Sequence, residues 1–152
     1  FSPYLNIADQ IEASLDLLDG DGELSLARVI LVVHCGLIDK ASTQLQDWHD
    51  ACAHFADVAL LNRLEGVKNK KVKEFKEHYE SMRLPFLVES VRKNRIANPA
   101  KILDPTSRRI SHAFDPEEDV DSDLPDPYLE RLPTGERAKH IPIPFGEPTK
   151  TT

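Results

Sequence analysis

Three short apolar runs rich in β-branched residues restrict the fold more than anything else in this chain: "ARVILVVH" at 27–34, "DVALLN" at 57–62 and "LPFLVESV" at 84–91. Runs that stay apolar at consecutive positions suit strands buried on both faces. Between and around them the apolar positions recur every three or four residues, the period of a helix with one face inward. "NIADQIEASLDLL" at 6–18 places Ile7, Ile11, Leu15 and Leu18 in that way, with Asn6 able to cap. "STQLQDWHDACAHFA" opens on Ser42 and keeps Leu45, Trp48, Cys52 and Phe55 near one stripe. A lysine-rich helix is expected over 69–82, with Val72, Phe75, His78 or Tyr79, and Met82 inward. In "NPAKIL", Asn98 is a capping residue and Pro99 takes the first helical position. Strands that alternate with helices need crossover connections and yield a parallel sheet, so the fold class is α/β.

A chain of 152 residues can bury a core of its own, and one domain is the expectation for the body. No run of about 18 apolar residues is present, so no membrane span is expected. The amino end lacks the basic, apolar and small-residue regions of a signal peptide. The chain opens on Phe1 and its one methionine is Met82, so processing, tag removal or a missing amino-terminal part is expected. Cys35 and Cys52 are too few for a disulfide framework and read as reduced core thiols, which points to a cytoplasmic protein. The net charge of −7 is unevenly placed: residues 1–114 hold 16 acids and 15 bases, residues 115–152 hold 10 acids and 4 bases. That second stretch also has 7 of the 11 prolines. It is expected to be an extended tail, docked through Tyr128, Leu129, Ile141, Ile143 and Phe145, because such a composition buries too little to offset its ordering entropy. The division is therefore an α/β body at 1–114 and an acidic, proline-rich tail at 115–152.

Several short patterns suggest chemistry and then fall short of it. In "DLLDGDGELSLAR", Asp19, Asp21 and Gly22 match part of a calcium loop, but the first ligand would be Leu17 and the closing acid Arg28. His49 and His54 stand five apart, off a common helical face; Cys52 could approach His49, yet a zinc site needs three or four ligands. Cys35, directly after a buried run, is in the place where α/β folds put ligands, with no second feature beside it. The lysines of "VKNKKVKEFK", together with Arg92, Lys93 and Arg95, form a basic stretch, but Glu74, Glu77 and Glu80 interleave with it as on a solvated face. Nucleic acid is not an expected partner, and no metal ligands are assigned. No phosphate loop of the form GxxxxGK[ST] occurs.

From Ala27 onward the order of elements resembles the second half of a P-loop GTPase of the CobW/HypB/UreG class, the metal-chaperone GTPases. In that family a strand reading roughly "GVITVVDA" precedes a helix, and "ADxxLLNKxDLV" then carries the guanine-reading loop. "ARVILVVHCG" and "FADVALLNRLEGV" stand in those places here, "FLVESVRKN" corresponds to the next strand and the loop behind the base, and "FSPYL" follows the switch segment. The resemblance covers about residues 1–114 and implies a P-loop NTPase-like three-layer sandwich. It implies that Asn62 and Glu65 contact the base, that Arg63 flanks it, and that Ser90 and Arg92 belong to the backing loop. Glu65 keeps the family's carboxylate on a chain one methylene longer, and His34 stands where the family has an aspartate.

The ligand implied is GTP, with Mg2+ only in a complete domain, and no catalytic residue is assigned to this chain. Deviant phosphate-loop ATPases of the ParA and MinD class also run strand, helix and strand ending in "LLNR", with the asparagine at adenine, and are the neighbouring alternative. A non-catalytic interaction module, its tail lying along a partner protein, is the alternative from another class; a second copy of the chain is a further candidate partner.

Overall fold

The computed structural model describes residues 1–20, 22–38, 40, 42–115 and 125–145. The chain divides into two compact units that do not follow the 1–114 and 115–152 division: Phe1–Ser25, Thr43–Ala51 and His112–Thr152 form one, Leu26–Ser42 and Cys52–Ser111 the other. The elements in chain order are α1 (Ile7–Gly20), β1 (Ile30–His34), α2 (Cys35–Ile38), α3 (Thr43–Phe55), β2 (Val58–Asn62), α4 (Asn69–Ser81), β3 (Leu87–Arg92), β4 (Arg95–Ile96) and α5 (Pro99–Leu103).

The second unit is the α/β part. Its sheet runs in the order β1-β2-β3-β4, with β1, β2 and β3 parallel and β4 antiparallel to β3. All three apolar runs thus become parallel strands, as their alternation with helices implies. The turn from β3 to β4 was not foreseen. Lys93 and Asn94 both have positive φ, 49° and 59°, between the paired residues Arg92 and Arg95. That is the backbone of a two-residue hairpin whose twist suits the flanking strands, and asparagine tolerates it better than lysine does.

Position in the sheet sets burial. In the central strand β2, Val58, Ala59 and Leu61 are fully buried. In β1, Leu31 and Val33 are buried, whereas Ile30 and Val32 are 42% and 58% exposed. The expectation of burial on both faces is corrected here: the face with Leu31 and Val33 is covered, and the face with Ile30 and Val32 is open. The helices divide between the faces. Tyr79 of α4 meets Phe75 and Phe86 edge to face, at ring-centre distances of 4.9 and 5.4 Å. Leu60 is in register with Val32 and Glu89, so Glu89 lies on the face with exposed apolar residues. Lys101 of α5 pairs with Glu89 at 3.1 Å, which ties α5 to that face. Arg28 closes the end of α5 by donating to the carbonyls of Lys101, Ile102 and Thr106. At the start of α5, Pro99 takes the expected place, but Asn98 makes no side-chain cap.

A buried carboxylate organises the amino-terminal edge of the sheet. Asp57, just ahead of β2, accepts hydrogen bonds from the backbone N–H groups of Val29 (2.8 Å) and Arg108 (2.7 Å). It also receives Nη1 of Arg109, at 3.2 Å from Oδ2. Its own carbonyl takes the N–H of Leu87. One side chain and its peptide thereby fix β1, β3 and the 108–109 segment to β2, and satisfying every lone pair is what allows a carboxylate to be buried.

The other unit holds α1, most of α3 and the described part of the tail. Asn6 caps α1 as expected, its Oδ1 accepting from Ala8 N at 2.8 Å. Residues 125–145 are not simply extended. Leu132 N donates to Glu136 O, Ala138 N to Glu130 O, and Arg131 and Arg137 form an isolated antiparallel bridge. Of the expected docking residues, Tyr128 and Ile141 are buried and Leu129 is half-buried, while Ile143 and Phe145 stay exposed. Arg137 reaches Glu12 and Asp9 of α1, and Arg131 joins the same carboxylates. Residues 116–124 and 146–152 of the expected tail lie outside the described residues.

Candidate functional site

The carboxyl ends of β1, β2 and β3 form one edge, the place where open parallel sheets bind ligands. Asn62 is the last residue of β2 and is in register with His34, the last of β1. Residues in register on parallel strands project to the same face. Asn62 and His34 therefore stand side by side, on the face that carries Ile30, Val32 and Leu60.

The chain leaves β2 by a built turn. Arg63 adopts a left-handed backbone with φ 55°, a conformation that costs a non-glycine residue roughly 1 kcal/mol. The Oδ1 of Asn62 accepts the N–H of Arg63 at 2.8 Å and supports that conformation. Val67 N then donates to Leu64 O at 3.2 Å, closing a four-residue turn with Gly66 third and φ +79°. A positive φ at that position is what glycine supplies. Glu65 sits at the exposed second position of the turn.

These contacts fix the polarity of Asn62. An amide oxygen held against a backbone N–H turns the nitrogen the other way, so its two N–H donors are the groups left for a ligand. Arg63 is exposed, with its guanidinium making no hydrogen bond or ion pair among the described residues.

Ser90 and Arg92 are placed differently from the expectation. Both belong to β3, which runs through to Arg92 before the hairpin, so neither forms a loop behind a base. Ser90 is in register with Leu61, which alternates with Asn62 along β2, so Ser90 and Arg92 lie on the face opposite to Asn62. The structure keeps Asn62, Arg63 and Glu65 together at the end of β2 and in the turn after it, and sets Ser90 and Arg92 apart from them.

The other candidates resolve as structure. Cys35 is fully buried, and burial pushes its thiol up to about 11, far from the range of a nucleophile at neutral pH. Cys52 is also buried and is pushed up to about 12 by the same cause. Burial holds His49 down to about 4, so it sits in its unit as a neutral ring at neutral pH. Among the described residues no group of three or more histidines, cysteines and acids could hold a metal. The lysines of α4 pair with its glutamates, Lys70 and Lys71 with Glu74 and Lys73 with Glu77. No helix of the described residues is long and apolar enough to cross a membrane.

Comparison with family models, curated proteins and solved structures finds no match to this chain. The site is thus read on its geometry. Two residues, the anchor of the sheet and a neighbour of Asn62, carried too little signal in the sequence. The anchor Asp57 was visible as the aspartate before an apolar run, but its partners are 28, 51 and 52 residues away in the chain. His34 was noted as a departure from a family pattern, and only the register shows it to be the neighbour of Asn62.

Proposed function

We propose that this chain carries the base-binding half of a GTP-binding α/β domain of the CobW-like metal-chaperone class and does not hydrolyse nucleotide by itself. The observation that carries the reading is Asn62 at the carboxyl edge of three parallel strands, its amide oxygen engaged by Arg63 N and its N–H donors open. Guanine offers two adjacent acceptors, N7 and O6, where adenine offers an acceptor and a donor, so a donor-only amide suits guanine better than adenine. Arg63 lays its stem along the base, and Glu65 supplies the acceptor for guanine's N–H groups.

β1 ends the sheet among the described residues and leaves a backbone edge along which a sheet can continue in a further strand, which fits the same reading. Phosphates and Mg2+ would be held by groups outside the set assembled here, since the described residues contain neither a glycine-rich phosphate loop nor a metal cluster. Glu65 fits guanine less well than the rest, with its longer chain on an exposed turn.

Titration of the purified chain with labelled GTP and ATP tests this. Saturable binding that favours GTP and is lost in Asn62→Ala supports the reading; equal or absent binding of both refutes it, as does GTP turnover by this polypeptide. The same open strand favours a second reading, an interaction module that takes a partner protein. That reading predicts no nucleotide binding and retention of a partner that is lost when Val32 is replaced by Lys.

A further inference from the structure

We propose that His34 is a second ligand-contact residue of the Asn62 site, and that Gly36 is present to seat its imidazole. This rests on the nucleotide reading above and names a specificity-determining residue within it.

The argument begins at Gly36. Its φ lies outside the left-handed region, so the backbone there makes no demand for glycine. Space does. A Cβ at position 36 would fall 3.0 Å from Cε1 and 3.3 Å from Nδ1 of His34, tighter than most side-chain contacts, so the ring would have to give by a few tenths of an ångström. The imidazole therefore lies back across the first turn of α2, over a spot that glycine leaves clear without displacing the ring. The ring is exposed and makes no hydrogen bond or ion pair among the described residues.

Its neighbour across the strand pair is Asn62, whose amide nitrogen is likewise open. Adjacent strands stand about 4.8 Å apart, so the two residues leave neighbouring strands within reach of one flat ring system or of a base and its sugar. Val32 and Leu60, one step back on the same face and in register with each other, give that ring an apolar floor. Exposed apolar floor, open amide and seated imidazole together describe a contact surface for a purine nucleoside. His34 adds a hydrogen-bonding partner there that Asn62 cannot supply, because imidazole can both donate and accept.

The test uses the full chain and equilibrium titration with GTP and guanosine. His34→Ala should weaken both ligands by about tenfold, the scale of one lost hydrogen bond in a site. Gly36→Ala should weaken them by a smaller factor while leaving the imidazole in place chemically, because the added methyl shifts the ring by a few tenths of an ångström. Nuclear magnetic resonance of the His34 ring gives a readout that a merely structural role would not move: its signals should shift saturably with ligand in the unsubstituted chain and stay still in Asn62→Ala.

Unchanged affinity in both His34→Ala and Gly36→Ala, with Asn62→Ala still abolishing binding, overturns the role of His34 and leaves the nucleotide reading standing. Failure of the unsubstituted chain to bind either ligand overturns both. Should either variant fold poorly by circular dichroism, the ring signals of the unsubstituted chain decide, and signals that do not respond to bound ligand overturn the proposal.

Discussion

Each of the two units is fastened by an arginine–carboxylate contact, and the contacts differ in kind. In the sheet unit, Asp57 is fully buried and Arg109 is nearly so; the carboxylate is saturated by two backbone N–H groups and a guanidinium. In the helix-and-tail unit, Arg137 is well covered, but Glu12 and Asp9 are 35% and 61% exposed. Arg137 Nη2 and Arg131 Nη2 stand 2.7 and 2.8 Å from the same Glu12 oxygen. Hydrogen bonding by Arg137 holds the Glu12 carboxyl down at about 2 and raises the guanidinium above its ordinary value. A buried carboxylate whose lone pairs are all taken organises backbone, and its loss leaves several donors stranded in a dry interior. A half-exposed network fastens one surface segment and competes with water and salt at every moment.

The largest effect should come from breaking the buried contact. Asp57→Ala leaves Arg109 and two backbone donors unpaired and should cost about 3–5 kcal/mol, enough to unfold the sheet unit. Urea denaturation followed by hydrogen exchange of the β1 and β2 amides reads this, and protected strand amides in the variant would show that Asp57 is not the anchor. Arg137→Ala should be milder, about 1–3 kcal/mol, since charge-assisted hydrogen bonds to partly exposed partners are lost. It should raise protease sensitivity within 125–145 and leave amide protection in the sheet unchanged. The unsubstituted chain should show the same local loosening on going from low to high salt, and salt independence would contradict the contrast.

Acid should sharpen the difference further. His49, depressed to about 4 by burial, binds a proton more readily when unfolded, near the ordinary histidine value of about 6.5. Its contribution is complete above about pH 6.5 and declines as the pH falls toward 4. The depressed Glu12 adds stability that is full above the ordinary carboxylate range and is lost as the pH falls through about 2. Both groups belong to the helix-and-tail unit, so that unit should loosen first, through His49 between pH 6.5 and 4 and through Glu12 below that, as followed by Trp48 fluorescence. The smallest expected signal is chemical: Cys35 and Cys52, both buried with raised thiols, should resist alkylation at pH 8 until denaturant is added. Rapid labelling of the native chain would mean that these interiors open easily.

Much of the sheet unit was legible because its signals are local. Consecutive β-branched residues mark strands, period-3.6 stripes mark helices, and their alternation yields parallel order with no knowledge of contacts. The hairpin at Lys93 and Asn94 was missed because its central residues are a lysine and an asparagine, with no glycine to announce positive φ. The candidate site was half legible. Asn62, Arg63 and Glu65 are consecutive enough to be read as one loop, whereas Ser90, Arg92 and His34 depend on strand register, which no short stretch encodes.

The sequence by itself determined the α/β class, the three parallel strands, the cap at Asn6 and the place of Asn62 at a strand end, because each follows from periodicity or from the conformational needs of residues close in the chain. Only the tertiary structure decided that β1 keeps an open apolar face, that Asp57 is the anchor of its unit, that Arg137 fastens the tail to α1, and that His34 and not Ser90 shares a face with Asn62. Those outcomes turn on which strand ends the sheet and on pairing between residues tens of positions apart, where the energy of a contact is set by burial and register, quantities that exist only once the chain has folded.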